Sequence, residues 1–369
     1  MAVAAGESMV EALRRAGEEG TPVRFRGGGT KLHWAANRGD PGVELSTAGL
    51  DRIIEHNAGD LTAVLEAGVP LERAQATFAD AGQMLSLDPP DDGATIGGIV
   101  AAADSGPLRA RYGGVRDLIV GVRVALSDGT VASAGGKVIK NVAGYDLAKL
   151  FAGSLGTLGA ILEVSVRLHP LPPATTTAAG GSRDPAVVAR AVRELSHAPL
   201  EHMGLDVRWG GGEGAVLARF GGAASREQAE AAAGILARAG VEAQVVDDDE
   251  SIWRLQREGQ RSADWTVVRV SATQTDLPGV FAATDSLGAR LFGRAALGLS
   301  WVVLPDRSPD EADAAIETLR RDYTAVVLDA PPGLGADHWG RLEPGARELM
   351  RRVRDRFDPA GVCNPGAAP

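Results

Sequence analysis

Thr21-Pro22-Val23-Arg24-Phe25-Arg26-Gly27-Gly28-Gly29-Thr30-Lys31 is the stretch on which the fold turns. Residues 21–26 form a short β-branched and aromatic run that stops at three glycines, the pattern of a strand delivering its end into a glycine turn. Consecutive glycine N–H groups and the Thr30 hydroxyl can wrap a diphosphate, with Arg26 and Lys31 supplying positive charge. The plainer reading is a turn, and Gly210-Gly211-Gly212 reads as one. Neither Gly-x-Gly-x-x-Gly opening a helix nor Gly-x-x-x-x-Gly-Lys-Ser/Thr occurs in the first half, which argues against the dinucleotide-binding and P-loop folds.

Two further glycine-bearing blocks follow. Asp88-Pro89-Pro90 leads to Thr95-Ile96-Gly97-Gly98, where a threonine cap and two glycines at a helix start predict free N–H groups facing a ligand. The alternative is a tightly packed helix in which glycine permits close contact. The longest block runs from Gly135 through Lys137, Lys140, Asn141, Gly144, Tyr145 and Asp146, then from Lys149 through Gly153, Ser154, Gly156 and Thr157 to Gly159. The chain's only lysines, 31, 137, 140 and 149, all fall in these blocks; elsewhere it uses arginine.

Composition narrows the class. With 369 residues, 44% hydrophobic and 23% charged, the chain can build two or three cores and is not a disordered tail. A net charge of -10 without a segregated basic patch argues against nucleic acid as a partner. A lone cysteine, Cys363, cannot close an intrachain disulfide or hold an iron–sulfur cluster by itself. No apolar run approaches the roughly 18 residues of a membrane span. The first 16 residues lack a secretory pattern, so the expected compartment is cytoplasmic, with any membrane association coming through partners.

Along the chain, residues 61–69 read as a strand, 70–81 as a helix opened by Pro70, and 118–126 with 131–134 as a hairpin turning at Asp128-Gly129. Residues 160–168 form a further strand, and prolines 170, 172 and 173 mark a boundary. Beyond it, strands alternate with alanine-rich amphipathic helices: 216–220, 226–238 and 241–246, then Thr266–Ser271, 280–286, Leu299–Leu304, 309–321 and 323–328. Two similar units side by side predict a ferredoxin-like or duplicated α+β cap. A last helix spans 345–357.

The ordered set Arg26-Gly27-Gly28-Gly29-Thr30, Asp88-Pro89 with Thr95-Ile96-Gly97-Gly98, Tyr112-Gly113 with Asp117, Asn141 with Gly144-Tyr145-Asp146-Leu147, and Gly153-Ser154 with Gly156-Thr157-Leu158-Gly159 resembles the FAD-binding domain of the vanillyl-alcohol oxidase (p-cresol methylhydroxylase, PCMH) superfamily, over about residues 20–170. The ending Phe357-Asp358-Pro359 with Asn364-Pro365-Gly366 is similar to that superfamily's C-terminus. Length and residues 137–150 are most similar to the FAD-binding (GlcE-type) subunit family of glycolate oxidase.

The resemblance implies an α+β chain: a PCMH-type two-subdomain FAD-binding domain over 1–170, a ferredoxin-like cap over 171–340, and a helix and tail, 341–369, returning to the FAD domain. It implies that Arg26, Gly27, Gly28, Gly29, Thr30 and Lys31 grip the diphosphate of non-covalent FAD, and that Asp88, Pro89, Thr95, Ile96, Gly97, Gly98 and Ser105 line the other side. Asn141 and Gly144 join the site from the long block; Ser154, Gly156, Gly159 and Ile161 run along the ribityl chain and ring; Asn364 approaches from the tail. The implied activity is oxidation of a 2-hydroxy acid, glycolate to glyoxylate, by hydride transfer to flavin, with a larger flavin subunit and an iron–sulfur subunit as partners. A self-sufficient D-lactate-like dehydrogenase and a non-catalytic structural subunit remain as alternatives. Tyr112, Tyr145 and Arg111, with neighbouring Arg109, are the catalytic candidates. The family's His-Ala-Gly-Asp-Gly-Asn-x-His motif is missing and the six histidines are scattered, so no metal site is expected.

Overall fold

The computed structural model describes residues 8–34, 41–90, 93–137 and 146–368. Ser8 and Glu11 form a reciprocal capping box that starts helix Met9–Glu19. Its buried stripe, Ala12, Leu13 and Ala16, packs on the parallel strands Val23–Arg26 and Val43–Ser46. The tail completes this layer. Val23 N–H donates to the Val362 carbonyl and Asn364 N–H to the Val23 carbonyl, which sets Cys363 parallel to Val23. The Asn364 side chain then donates to the Leu155 carbonyl (2.6 Å) and accepts from Phe25 N–H (3.1 Å).

A second core lies under a five-stranded antiparallel sheet in the order Ile53–Asn57, Thr62–Glu66, Ala160–Arg167, Ile119–Ala125, Val131–Gly135. Helices Leu71–Ala79 and Ile96–Ala102 bury Phe78, Ile99 and Val100 in it. The expected hairpin is present, with Gly129 at φ 84° in its turn. Two boundaries move. Pro70 is the N-cap rather than the first helical residue, and the expected strand 118–126 begins one residue late, at Ile119, because Val115–Leu118 is helical.

The remaining strands form one eight-stranded antiparallel sheet. Thr175–Ser182, helix Pro185–His197, Gly204–Gly210, Glu213–Gly221, helix Ser225–Arg238 and Glu242–Val246 make one βαββαβ unit. Thr266–Ser271, helix Leu277–Ser286, Arg290–Arg294, Leu299–Leu304, helix Pro309–Asp322 and Thr324–Asp329 repeat it. The strand order within each unit is the ferredoxin-like one, and the units join edge to edge where Gly204–Gly210 pairs with Arg290–Arg294. The duplicated cap expected from the alternation is thus one continuous sheet. Gly211 and Gly212, at φ 64° and 71°, form the two-residue turn expected of the second glycine triplet.

All four long helices of this unit bury their apolar stripes on one face of the sheet. The opposite face is therefore left for the flavin-side cores, and Trp34 packs there with Val267, Trp301, Val303 and Leu328. Replacing Asn364 with Ala strands the Leu155 carbonyl and the Phe25 N–H. We expect a loss of about 2–4 kcal/mol in urea unfolding, set by two unsatisfied groups at ~1–2 kcal/mol each.

Candidate flavin site

The glycine turn is shaped by close backbone approach. A Cβ on Gly28 would lie 1.9 Å from the Gly93 carbonyl oxygen, and one on Gly27 would lie 2.2 Å from Thr95 Oγ1. Gly29 adds a left-handed backbone, φ 81°. Only glycine satisfies all three positions. Among the described residues the amides of Gly27, Gly28, Gly29 and Thr30 meet no protein acceptor. Four successive free donors beside a cleft are the kind of group an anion would take. Gly27, Gly28, Gly29, Thr30 and Lys31 line this cleft together with Thr95, Gly98, Ala101 and Leu155.

The helix start behaves differently from expectation. Ile96 N–H donates to the Val69 carbonyl, Gly97 N–H to Ala67 (2.8 Å) and Gly98 N–H to Thr95 Oγ1 (3.3 Å), so these amides are spent inside the protein. Gly97 is there for packing: a Cβ would sit 2.6 Å from that of Ala67. Ile96 is core.

Other expected residues hold the scaffold. Gly159 and Ile161 sit in the strand system, where a Cβ on Gly159 would meet the Ala125 carbonyl and Ile161 joins the second core. Ser154 Oγ accepts from Gly156 N–H, and Gly156, at φ 75°, faces the Asn364 amide. Both ends of the Asn364 side chain are thereby engaged within the protein. Arg26 leaves half its side chain exposed and reaches Glu44 at 3.3 Å. Lys31 does not present its charge to the cleft; its ammonium lies 3.0 Å from Asp104, with both side chains buried. Asn141, Gly144 and Tyr145 lie outside the described residues.

Asp88 and Pro89 sit at the junction with the eight-stranded sheet. Asp88 accepts from Leu108 N–H at 3.0 Å, and its backbone presses on Gly106, fixing the turn that carries Ser105 and Arg109. Desolvation pushes the Asp88 carboxyl up to about 7, with Arg294 partly offsetting it. Arg294 is itself wholly buried, paired with Asp206 at 2.8 Å and lying over Trp301. Burial likewise raises Asp206, to about 6.

Two of the catalytic candidates lie apart from the cleft. Tyr112 packs with Met84, Leu108 and Met203 and rests against His169, while Arg111 pairs with Glu201 at 2.9 Å. Two other cations lie within electrostatic reach of each other. Arg109 donates to Ser105 Oγ at 3.3 Å, and Arg269 projects from strand Thr266–Ser271 without a hydrogen bond or ion pair among the described residues. Burial lowers the pKa of both, and the Arg109 charge depresses that of Arg269 further, against the pull of Asp104. Arg269 was overlooked in sequence although a single arginine in an otherwise apolar strand signals it. A wider hollow of about 1120 Å³, lined by Arg208, Trp209, Leu217 and Phe292, opens elsewhere on the sheet and holds none of the expected residues.

A glycine turn whose amides are free beside a cleft is what an FAD-binding domain would need at this place. Residues 2–135 match the FAD binding domain family. The chain is 32% identical over 224 residues to glycolate oxidase subunit GlcE of Escherichia coli K12, covering 58% of this chain and 62% of that one. It is 35% identical over 164 residues to D-lactate dehydrogenase of Archaeoglobus fulgidus, covering 44% and 37%. It thus spans less than two thirds of either relative. The fold of alkyldihydroxyacetonephosphate synthase superposes on 99% of this chain and 75% of that one, with a TM-score of 0.75 at 14% identity.

Gly28→Ala forces the loop away from Gly93. FAD affinity measured by flavin fluorescence quenching should fall about tenfold or more, ~1.4 kcal/mol per decade, with far-UV circular dichroism unchanged. Asp88 generates a pH test. Its folded pKa of about 7 lies above the ordinary 3.8, so the native state holds the extra proton and stability declines as pH rises through that window. Asp88→Asn keeps an acceptor for Leu108, so its melting temperature should drop less than wild type between pH 5 and pH 8.

Proposed function

We propose that the chain is the FAD-binding subunit of a dehydrogenase that oxidises a 2-hydroxy acid, glycolate to glyoxylate. The observation that carries this reading is the pair Arg109 and Arg269, two half-buried guanidiniums within electrostatic reach of each other, Arg269 also of Asp104, the partner of cleft-lining Lys31; the Arg269 side chain has no hydrogen bond or ion pair among the described residues. Uncompensated buried charge is costly, and a carboxylate bridging both would offset that cost.

In this reading the amides of Gly27 to Thr30 hold the diphosphate, with Arg26 at the rim, and the flavin is bound non-covalently. FAD supplies, when bound, an acceptor for the hydride on the substrate α-carbon. Arg269 and Arg109 clamp the substrate carboxylate, fix the α-carbon's orientation and disfavour alcohols that lack this group. Asp104 holds Lys31 and so keeps a second cation from competing for the substrate. Ser105 orients Arg109.

The name of the Escherichia coli relative, a subunit, supports assembly with partners, in our reading a larger flavin subunit and an iron–sulfur subunit. Cys363 is buried and is this chain's only cysteine, so a cluster belongs to a partner. Among the described residues no helix is long and apolar enough to cross a membrane.

Arg269→Met tests the reading. In the chain assembled with its partners, the KM for glycolate or D-lactate should rise about 100-fold, ~2.7 kcal/mol at 1.4 per decade, while FAD binding stays at the wild-type level. An unchanged KM would remove Arg269 from the substrate site.

A further inference from the structure

Asp329 ends the edge strand Thr324–Asp329, and its side chain is 1% exposed. Four donors converge on this one carboxylate. Oδ1 accepts from His33 Nε2 (2.6 Å) and from Trp34 Nε1 (3.0 Å), both on the segment that follows the glycine turn. Oδ2 accepts from Arg261 Nε (2.8 Å) and from Ser262 N–H (3.0 Å), both on the loop after helix Glu250–Glu258. Since a carboxylate only accepts, the His33 proton is on Nε2. These bonds outweigh burial and hold the Asp329 carboxyl below its usual range.

Arg261 extends the connection. Its Nη2 donates to the Thr30 carbonyl at 3.1 Å, and its guanidinium lies over the Trp34 ring at 5.2 Å. Thr30 lines the flavin cleft. Lys31, between Thr30 and Trp34, is drawn the other way to Asp104. The glycine turn is therefore suspended between an anchor on the flavin side and one on the eight-stranded sheet.

We propose that Asp329 is a positioning residue for the cofactor: it ties the sheet to the segment 30–34, so that the amides of the glycine turn are held in their binding geometry only while the sheet is docked. This rests on the glycine cleft being the FAD site. FAD binding and docking are then thermodynamically linked, each favouring the other by the same factor.

The test titrates FAD into apoprotein of wild type, Asp329→Asn and Trp34→Phe, following flavin fluorescence quenching, and records melting temperatures of the apo and FAD-loaded forms. Asn offers one acceptor oxygen in place of two and no charge. Asp329→Asn should bind FAD about tenfold or more weakly, and FAD should raise its melting temperature less than it raises that of wild type. Trp34→Phe removes one donor of four and should weaken FAD binding only a few-fold, so it carries the test should Asp329→Asn fail to fold. Wild-type affinity in either soluble variant, whatever its melting temperature, overturns the proposal, because that is what a purely structural role gives. Failure of wild type itself to bind FAD would overturn the cleft assignment instead.

Discussion

Backbone meets backbone at Gly28 and Gly93 with no room for a side chain, and the rest of the flavin side is arranged around that approach. With the turn pressed against residue 93, the turn itself and the helix after Thr95 line the same cleft. The same economy recurs at Gly97 against Ala67 and at Gly106 against Asp88, where small residues let segments cross at a distance side chains forbid. At the Gly28 crossing the result is a turn whose amides meet no protein acceptor among the described residues, while the surrounding cores carry the stability.

Much of this was legible in the sequence and some was not, for physical reasons. A glycine turn announces itself because left-handed backbone and close approach both exclude other residues, as at Gly29 and Gly28. The cap was legible from strands alternating with alanine-rich helices. Strand Thr175–Ser182 was not, since Thr-Thr-Thr-Ala-Ala-Gly-Gly-Ser has neither alternation nor bulk; its neighbours on both sides make it a strand. The Thr95 cap correctly locates a helix start, yet a cap signal is local. It cannot tell that the carbonyls of Ala67 and Val69 arrive to take the very amides expected to be free. Partnerships such as Lys31 with Asp104 or His33 with Asp329 join residues that only the fold brings together.

Charge is distributed with the same logic. The chain is acidic overall, with a formal charge of -10, yet arginines gather where the flavin side meets the sheet. Arg294 is neutralised by Asp206, and Arg261 by Asp329. Among the described residues the Arg269 side chain has no hydrogen bond or ion pair, and that of Arg109 only the neutral Ser105 hydroxyl. A half-buried cation without a partner is a better pointer to a ligand than the total charge.

Cys363 sits in the core under the two parallel strands, hydrogen-bonded through its backbone N–H to Asp358, and burial and the neighbouring carboxylate together raise its thiol pKa strongly. A thiol kept protonated and enclosed does not react with alkylating reagents. Its enclosure depends on the tail lying along Val23, so any excursion that peels the tail away uncovers a single nucleophile. The molecule thus contains its own stopwatch: the rate at which this sulfur is trapped reads out how often the last strand-like segment lets go.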